Sequence, residues 1–361
     1  MEHANPLLKN AKTPRFITFG EIMLRLTPPN YEKIRVAGSF EVSYGGSEAN
    51  IALSLANLGI DSTFFTVVPN NSLGKSAVRM LRSNDVHCTP VILSTPEQTP
   101  THRLGTYYLE TGYGIRPSKV TYDRKHSAIT EYDFRQVDMD WLLEGFDWLH
   151  LSGITPALSP ECGQFVLRCL EKAKEKGLTV SFDGNFRSTL WTWDEARDFC
   201  TRVLPFVDVL LGIEPYHLWR DEEDHSKGDW KDGIPLQPSY EQQDEVFQAF
   251  TARYPNLQCI ARHVRYAHTG SENSLMAFMW YQNHTFESKL YTFNILDRVG
   301  GGDAFASGLI YAMMKRYKPM DMVNFAVASS VIKHTLHGDG NITDDVDSIR
   351  NLMNMNYDIR R

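Results

Sequence analysis

Asp303 follows directly on three glycines, Gly300, Gly301 and Gly302, within the stretch Asp297-Arg298-Val299-Gly300-Gly301-Gly302-Asp303-Ala304-Phe305. Residues without side chains leave their backbone N–H groups free to converge on one point. The apolar periodicity that follows predicts a helix over Asp303–Tyr317, whose N-terminus adds partial positive charge at the same point. Such a cradle suits a phosphate or a developing oxyanion. A carboxylate beside it can take the proton from a hydroxyl as that hydroxyl attacks a phosphoryl group. Taken alone, the segment also fits a glycine turn whose aspartate merely caps a helix. It matches neither the dinucleotide fingerprint G-x-G-x-x-G nor the P-loop pattern.

The elements that must position this loop are legible in the hydrophobic pattern. Arg15–Ile22 and Met23–Leu26 read as two short strands stopped at Pro28-Pro29. Ser47–Gly59 reads as a helix capped by Ser47 and closed by Gly59, followed by a strand over Ser62–Val68 and a helix over Ser72–Ser83. Trp148–Leu151, Thr179–Phe182 and Val207–Leu211 read as further strands, with helices over Pro160–Lys176 and Met320–His334. This alternation predicts a parallel sheet covered on both faces. Arg103–Leu109 and Lys119–Tyr122 instead read as antiparallel strands of a small second sheet, shared with the Met23–Tyr44 region. Asp221–Asp244 is acidic and aperiodic, as a solvated surface insertion would be.

Composition narrows the class. The 361 residues suit two domains, or one large α/β domain with an appendage. Lys and Arg number 37 against 44 Asp and Glu, a formal charge of -7, which argues against a nucleic-acid coat or a basic membrane-surface protein. No apolar run approaches the roughly 20 residues that span a bilayer. Residues 1–14 read as a polar tail rather than a secretory signal. The five cysteines are scattered and never form C-x-x-C, so reduced, mostly buried thiols in a cytoplasmic protein are expected. The twelve histidines show no ligand spacing and are expected to be structural or solvated.

Asp297–Phe305 resembles the C-terminal signature of the ribokinase-like (pfkB) carbohydrate kinases, and Tyr44-Gly45-Gly46-Ser47-Glu48-Ala49-Asn50 resembles their N-terminal glycine signature. Thr18–Leu26, Arg116–Val120, Tyr122-Asp123-Arg124, Ser152–Leu158, Asp183-Gly184-Asn185-Phe186-Arg187 and Lys333-His334 with Gly338-Asp339 look like the 2-keto-3-deoxygluconate kinases among them. The resemblance implies an α/β fold, a three-layer α/β/α sandwich with a mainly parallel sheet over residues 15–361. It also implies a β lid drawn from about 22–45 and 100–125. The implied activity is phosphorylation of the terminal hydroxyl of a keto-deoxy sugar acid by ATP with Mg²⁺. Asp303 would be the base and Gly300–Gly302 the anion hole.

By the same resemblance Gly45, Gly46, Asn50, Tyr107, Tyr122, Arg124 and Asp339 would contact the sugar acid, with Arg124 on its carboxylate. Arg187 would stand between sugar and phosphate. Asn185, Arg187, Arg265, Gly300 and Gly302 would serve the nucleotide. Asp339 equally suits a turn, and Tyr108 competes with Tyr107 for the inward face. The chain departs from the family at the Asn-x-x-Glu motif: Ile213 and Tyr216 stand at its ends, leaving Glu214 as the metal-directed carboxylate. It departs again at Arg262–Ser271, where a shorter loop is usual. A kinase for a neutral sugar such as fructose or ribose, and a sugar-acid-binding protein without phosphoryl transfer, are the competing readings. The expected partners are the sugar acid and ATP, with no nucleic acid or membrane. The apolar lid face suits a homo-oligomer, dimeric or higher.

Overall fold

The structure, a computed structural model, describes residues 7, 13–213, 230–231, 234–235, 237–343 and 346–355. Arg15–Phe19 (β1) is buried after its first residue because it pairs in parallel on both sides and is covered on both faces. The chain then leaves the main sheet for Met23–Thr27 (β2) and Glu41–Gly45 (β3), an antiparallel pair. Ser47–Asn57 (α1) returns it to Asp61–Phe65 (β4). Val67–Pro69 (β5), Ser72–Arg82 (α2) and Ile92–Ser94 (β6) form a short parallel annex. Thr106–Glu110 (β7) and Lys119–Asp123 (β8) complete a lid sheet in the order β3-β2-β7-β8.

Two short helices, Ala128–Glu131 (α3) and Met139–Leu142 (α4), precede the α/β body of Trp148–Ser152 (β9), Pro160–Lys176 (α5), Thr179–Asp183 (β10), Trp193–Val203 (α6) and Val209–Leu211 (β11). A two-residue pair follows, Trp230–Lys231 (β12) with Ile234–Pro235 (β13), then Tyr240–Arg253 (α7). Cys259–Ala267 (β14), Glu272–Tyr281 (β15), His284–Glu287 (β16) and Tyr291–Asn294 (β17) lead to Gly301–Met314 (α8), Pro319–Lys333 (α9) and Val346–Met353 (α10).

The main sheet runs β16-β15-β14-β11-β10-β9-β1-β4, with β17 also on β15. It is parallel from β4 to β14 and antiparallel beyond. One core, with Leu53, Leu309 and Phe325, packs α1, α8 and α9 on one face. A second, with Phe165, Val203 and Phe247, packs α5, α6 and α7 on the other. This is the expected three-layer sandwich.

Local expectations are corrected in four places. Ser62–Val68 is not one strand: it breaks at Thr66, and its halves pair in different sheets. The lid is mixed, since β2 and β7 run parallel. Arg262–Ser271 is not a loop but most of β14 and its turn into β15. Ser47 does not cap α1; Gly46 is the N-cap, and the Ser47 hydroxyl is used elsewhere. Half of the insertion at 221–244, nearly all of the tail, and Glu214 and Tyr216 lie outside the described residues. All five cysteines are buried free thiols, and no helix among the described residues is long and apolar enough to cross a membrane.

Candidate active site

A cleft of about 760 Å³ lies beyond the carboxyl ends of β10 and β11, under the lid residues Met23, Tyr107, Val120 and Tyr122. Ligands of parallel α/β sheets bind at this end because the strand-to-helix turns there present free backbone N–H groups. The start of α8 forms its floor.

The three glycines do three different things. Gly300 has φ +81°, and a Cβ there would lie 1.9 Å from the Asp339 carbonyl oxygen. A Cβ on Gly301 would lie 2.3 Å from the His334 ring. Both are therefore glycine so that the loop can pack against residues 334–339. At Gly302 the nearest atom is His263 Cε1 at 3.8 Å, so this position stays open beside the cleft. The helix begins at Gly301, which puts Asp303 in its first turn rather than at its start.

Asp303 is half-buried and held by two donors from the first turn of α1: Ser47 Oγ donates to Oδ1 at 2.7 Å and Asn50 Nδ2 to Oδ2 at 2.7 Å. Burial pushes its carboxyl above the ordinary value, and the two donors and Arg187 pull it back. Asp183, at the end of β10, is pushed up to about 7 by burial and by the nearby Asp303. Glu48, fully buried, is raised by burial and accepts the hydroxyls of Ser152 and Thr155 at 2.7 Å each.

Arg187, Arg265 and Arg298 line the cleft. Among the described residues, the guanidinium of Arg187 donates to the Phe186 carbonyl, at 3.0 Å. Burial, and then the charge of Arg298, lowers Arg265 to about 10. Burial also lowers Arg298. Three cations with no bonded carboxylate among the described residues, beside an open glycine in the first turn of a helix, fit the phosphates of a nucleotide. No group of three or more metal-ligating side chains exists among the described residues.

Tyr107, not Tyr108, is the inward tyrosine; its hydroxyl donates to Asp339 Oδ2. Arg25 of β2 donates to Asp339 Oδ1 at 2.5 Å and to Asp297 Oδ2 at 2.5 Å. Both oxygens of Asp339 are thus held by lid donors, while the residue also lines the cleft. A Cβ on Gly45 would lie 2.0 Å from Asp339 Oδ2, so Gly45 is glycine to admit that carboxylate rather than a sugar. Gly46, in contrast, lines the cleft, as do Asn50, Tyr122 and Asn185. Arg124 lines it too, but Nε and Nη2 both go to the buried Glu21. Ser127 donates to Glu21 at 2.5 Å, and the Arg124 guanidinium lies 5.5 Å from the centre of the Tyr122 ring.

Five residues here escaped the sequence reading: Arg25, Glu21, Ser47, Asp183 and Arg298. Ser47 had a usable signal, because it stands three before Asn50 and shares its helix face. Arg25 and Glu21 had none, since their partners are distant in the chain.

Residues 14–215, more than half of the chain, match the pfkB family carbohydrate kinases. The 2-dehydro-3-deoxygalactonokinase of Haloferax volcanii is 30% identical over 91% of this chain and 93% of its own length. The crystal structure of the Thermotoga maritima 2-dehydro-3-deoxygluconokinase superposes with a TM-score of 0.85 at 35% identity, covering 94% of this chain and 99% of that one. An Escherichia coli ribokinase-like protein solved with ATP and Mg²⁺ shares the fold at 17% identity, with a TM-score of 0.75 over 95% of this chain and 99% of its own. With the glycine loop, the half-buried aspartate and the lid in place, the chain belongs to the pfkB family of carbohydrate kinases.

Proposed function

We propose that this kinase transfers the γ-phosphoryl group of ATP to the terminal hydroxyl of 2-keto-3-deoxygluconate, giving 2-keto-3-deoxy-6-phosphogluconate. The observation that carries the reading is Asp303: a half-buried carboxylate with two fixed donors, beside the open position of Gly302 in the first turn of a helix. ATP with Mg²⁺ supplies the phosphoryl group and part of the neutralising charge. Arg187, Arg265, Arg298 and Gly302 would hold its phosphates. Asp303 takes the hydroxyl proton as the new O–P bond forms and the bond to the ADP oxygen breaks. Arg187 faces Asp303 and offsets charge developing between sugar and phosphate. The lid excludes water, so that transfer to the sugar outcompetes hydrolysis. The relatives named above support the keto-deoxy acid class, and the free thiols fit a cytoplasmic setting. The exposed Val36, Phe40 and Val42 at the β3 edge fit a homodimer formed through the lids, which sedimentation would detect.

A neutral-sugar kinase is the second reading, favoured by the Arg124–Glu21 pair, which neutralises the arginine meant for a carboxylate. ADP release from Mg-ATP with 2-keto-3-deoxygluconate, 2-keto-3-deoxygalactonate, fructose and ribose separates the two. Turnover confined to the keto-deoxy acids, lost in Asp303→Asn, is the expected result. Turnover on fructose or ribose alone would overturn it.

A further inference from the structure

Asn185 stands at the end of β10 in a left-handed conformation, φ +39°, that a non-glycine residue adopts at a cost in strain. Its backbone N–H is tied to Asp183 Oδ1 at 3.0 Å, and its side-chain Nδ2 donates to Ser47 Oγ at 2.9 Å. Ser47 Oγ in turn lies 2.7 Å from Asp303 Oδ1. A hydroxyl has a single proton, and an ionised carboxylate can only accept. If the amide oxygen of Asn185 faced Ser47, the hydroxyl would have two acceptors and one proton to share. With Nδ2 facing it, a lone pair of Ser47 is occupied and its proton is directed to Asp303.

We propose that Asn185 is a positioning residue of the base: through Ser47 it fixes the hydrogen bond that keeps Asp303 ionised and oriented, rather than binding the nucleotide. The proposal rests on reading Asp303 as the base. It gives the strained backbone a use, since in that conformation the short amide reaches from just beyond β10 to the first turn of α1. It also accounts for a serine at 47 that caps nothing. The charged groups facing Asp303 are Arg187 and Lys333 on the cationic side and Asp183, Glu48 and Asp339 on the acidic side. None of them changes when Asn185 is replaced.

The test uses the full chain as Asn185→Gly, which keeps the backbone conformation without strain, with Asn185→Asp, Ser47→Ala and the Asn185→Gly/Ser47→Ala double variant. Initial rates with Mg-ATP and the keto-deoxy acid are followed across pH, and the Asp303 carboxyl is titrated by ¹³C NMR against Asp303→Asn. Without the amide, the Ser47 hydroxyl is free to turn from Asp303, and weakening that charge-assisted hydrogen bond should move the acid limb of kcat/KM, and the Asp303 titration, up by about one pH unit in Asn185→Gly. KM for ATP should stay unchanged. Asn185→Asp should shift both further, because a carboxylate at 185 competes for the Ser47 proton. The double variant should match Ser47→Ala alone, as expected of residues acting in one chain. A raised KM for ATP with an unmoved pH profile would overturn the proposal, as would independent effects in the double variant. If the unaltered protein phosphorylates no sugar, the kinase reading fails, yet the NMR titration still decides: an upward shift supports the positioning role and an unchanged one overturns it. Should Asn185→Gly not fold, the isosteric Asn185→Asp is read instead, with the larger upward shift as its expected result and an unmoved pH profile overturning the proposal.

Discussion

Arg25 Nη1 lies 2.5 Å from Asp339 Oδ1, and the two residues come from opposite sides of the cleft: Arg25 from the lid strand β2, Asp339 from the turn under the catalytic loop. The same guanidinium reaches Asp297, whose carboxylate also accepts the N–H groups of Val299 at 3.1 Å and Gly338 at 3.0 Å. The lid is therefore pinned ionically to the loop that carries Gly300–Asp303. Removing one member of a buried ionic network leaves charge without compensation, at about 3–5 kcal/mol. Arg25→Ala should lose about that much in urea unfolding and Asp339→Asn somewhat less. Wild-type stability in Arg25→Ala would show that the pairing holds nothing together.

The glycines separate folding from chemistry. Gly300→Ala meets both a positive φ and the Asp339 carbonyl, and should cost about 1–3 kcal/mol of stability or more. Gly302→Ala finds only an ordinary contact and should fold normally. Its methyl group would narrow the anion site, lowering kcat by about 10²-fold. Thermal unfolding and ADP release on the two variants give the comparison. Full activity in Gly302→Ala would remove that position from the anion hole.

Asp183 gives the protein a pH signature. Its native carboxyl, pushed up to about 7, holds a proton that the unfolded chain releases near the ordinary value of 3.8. Between those values the native state binds more protons, so this contribution to stability is complete at low pH and is lost as pH rises toward 7. Asp183→Asn should flatten that decline. Urea unfolding at pH 5 and pH 8 measures it, and equal declines in both proteins would contradict the raised carboxyl. Asp303, the proposed base, is also raised by burial and must be ionised to act in that role. The acid limb of activity should therefore lie above the ordinary aspartate range.

Arg187 and Arg124 should fail differently. Arg187→Ala removes an exposed cation facing Asp303, and kcat should fall about 10²-fold or more with stability intact. Arg124→Ala leaves the buried Glu21 without its cation, so unfolding should be easier as well. If Arg124 also meets the substrate carboxylate, KM for the keto-deoxy acid should rise about tenfold. An unchanged KM would return Arg124 to a purely structural role and strengthen the neutral-sugar reading.

The sequence by itself determined the layered α/β fold, since buried parallel strands must be continuous apolar runs and their covering helices must be periodic. It also determined the catalytic loop, where a glycine triplet followed by an aspartate at a helix start is a local pattern. Tertiary structure alone decided which of the cleft glycines has room for a side chain, because that depends on where residues 334–339 return. It decided that Tyr107, Arg25 and Asp339 form one network, with Gly45 making room for it. It turned Ser47 from a cap into a partner of Asp303, and it gave Arg124 to Glu21. These are contacts between residues up to 314 positions apart, and no local periodicity encodes them. Each is settled by the need of a buried charge for a partner, a condition that exists only once the chain has folded and water has left.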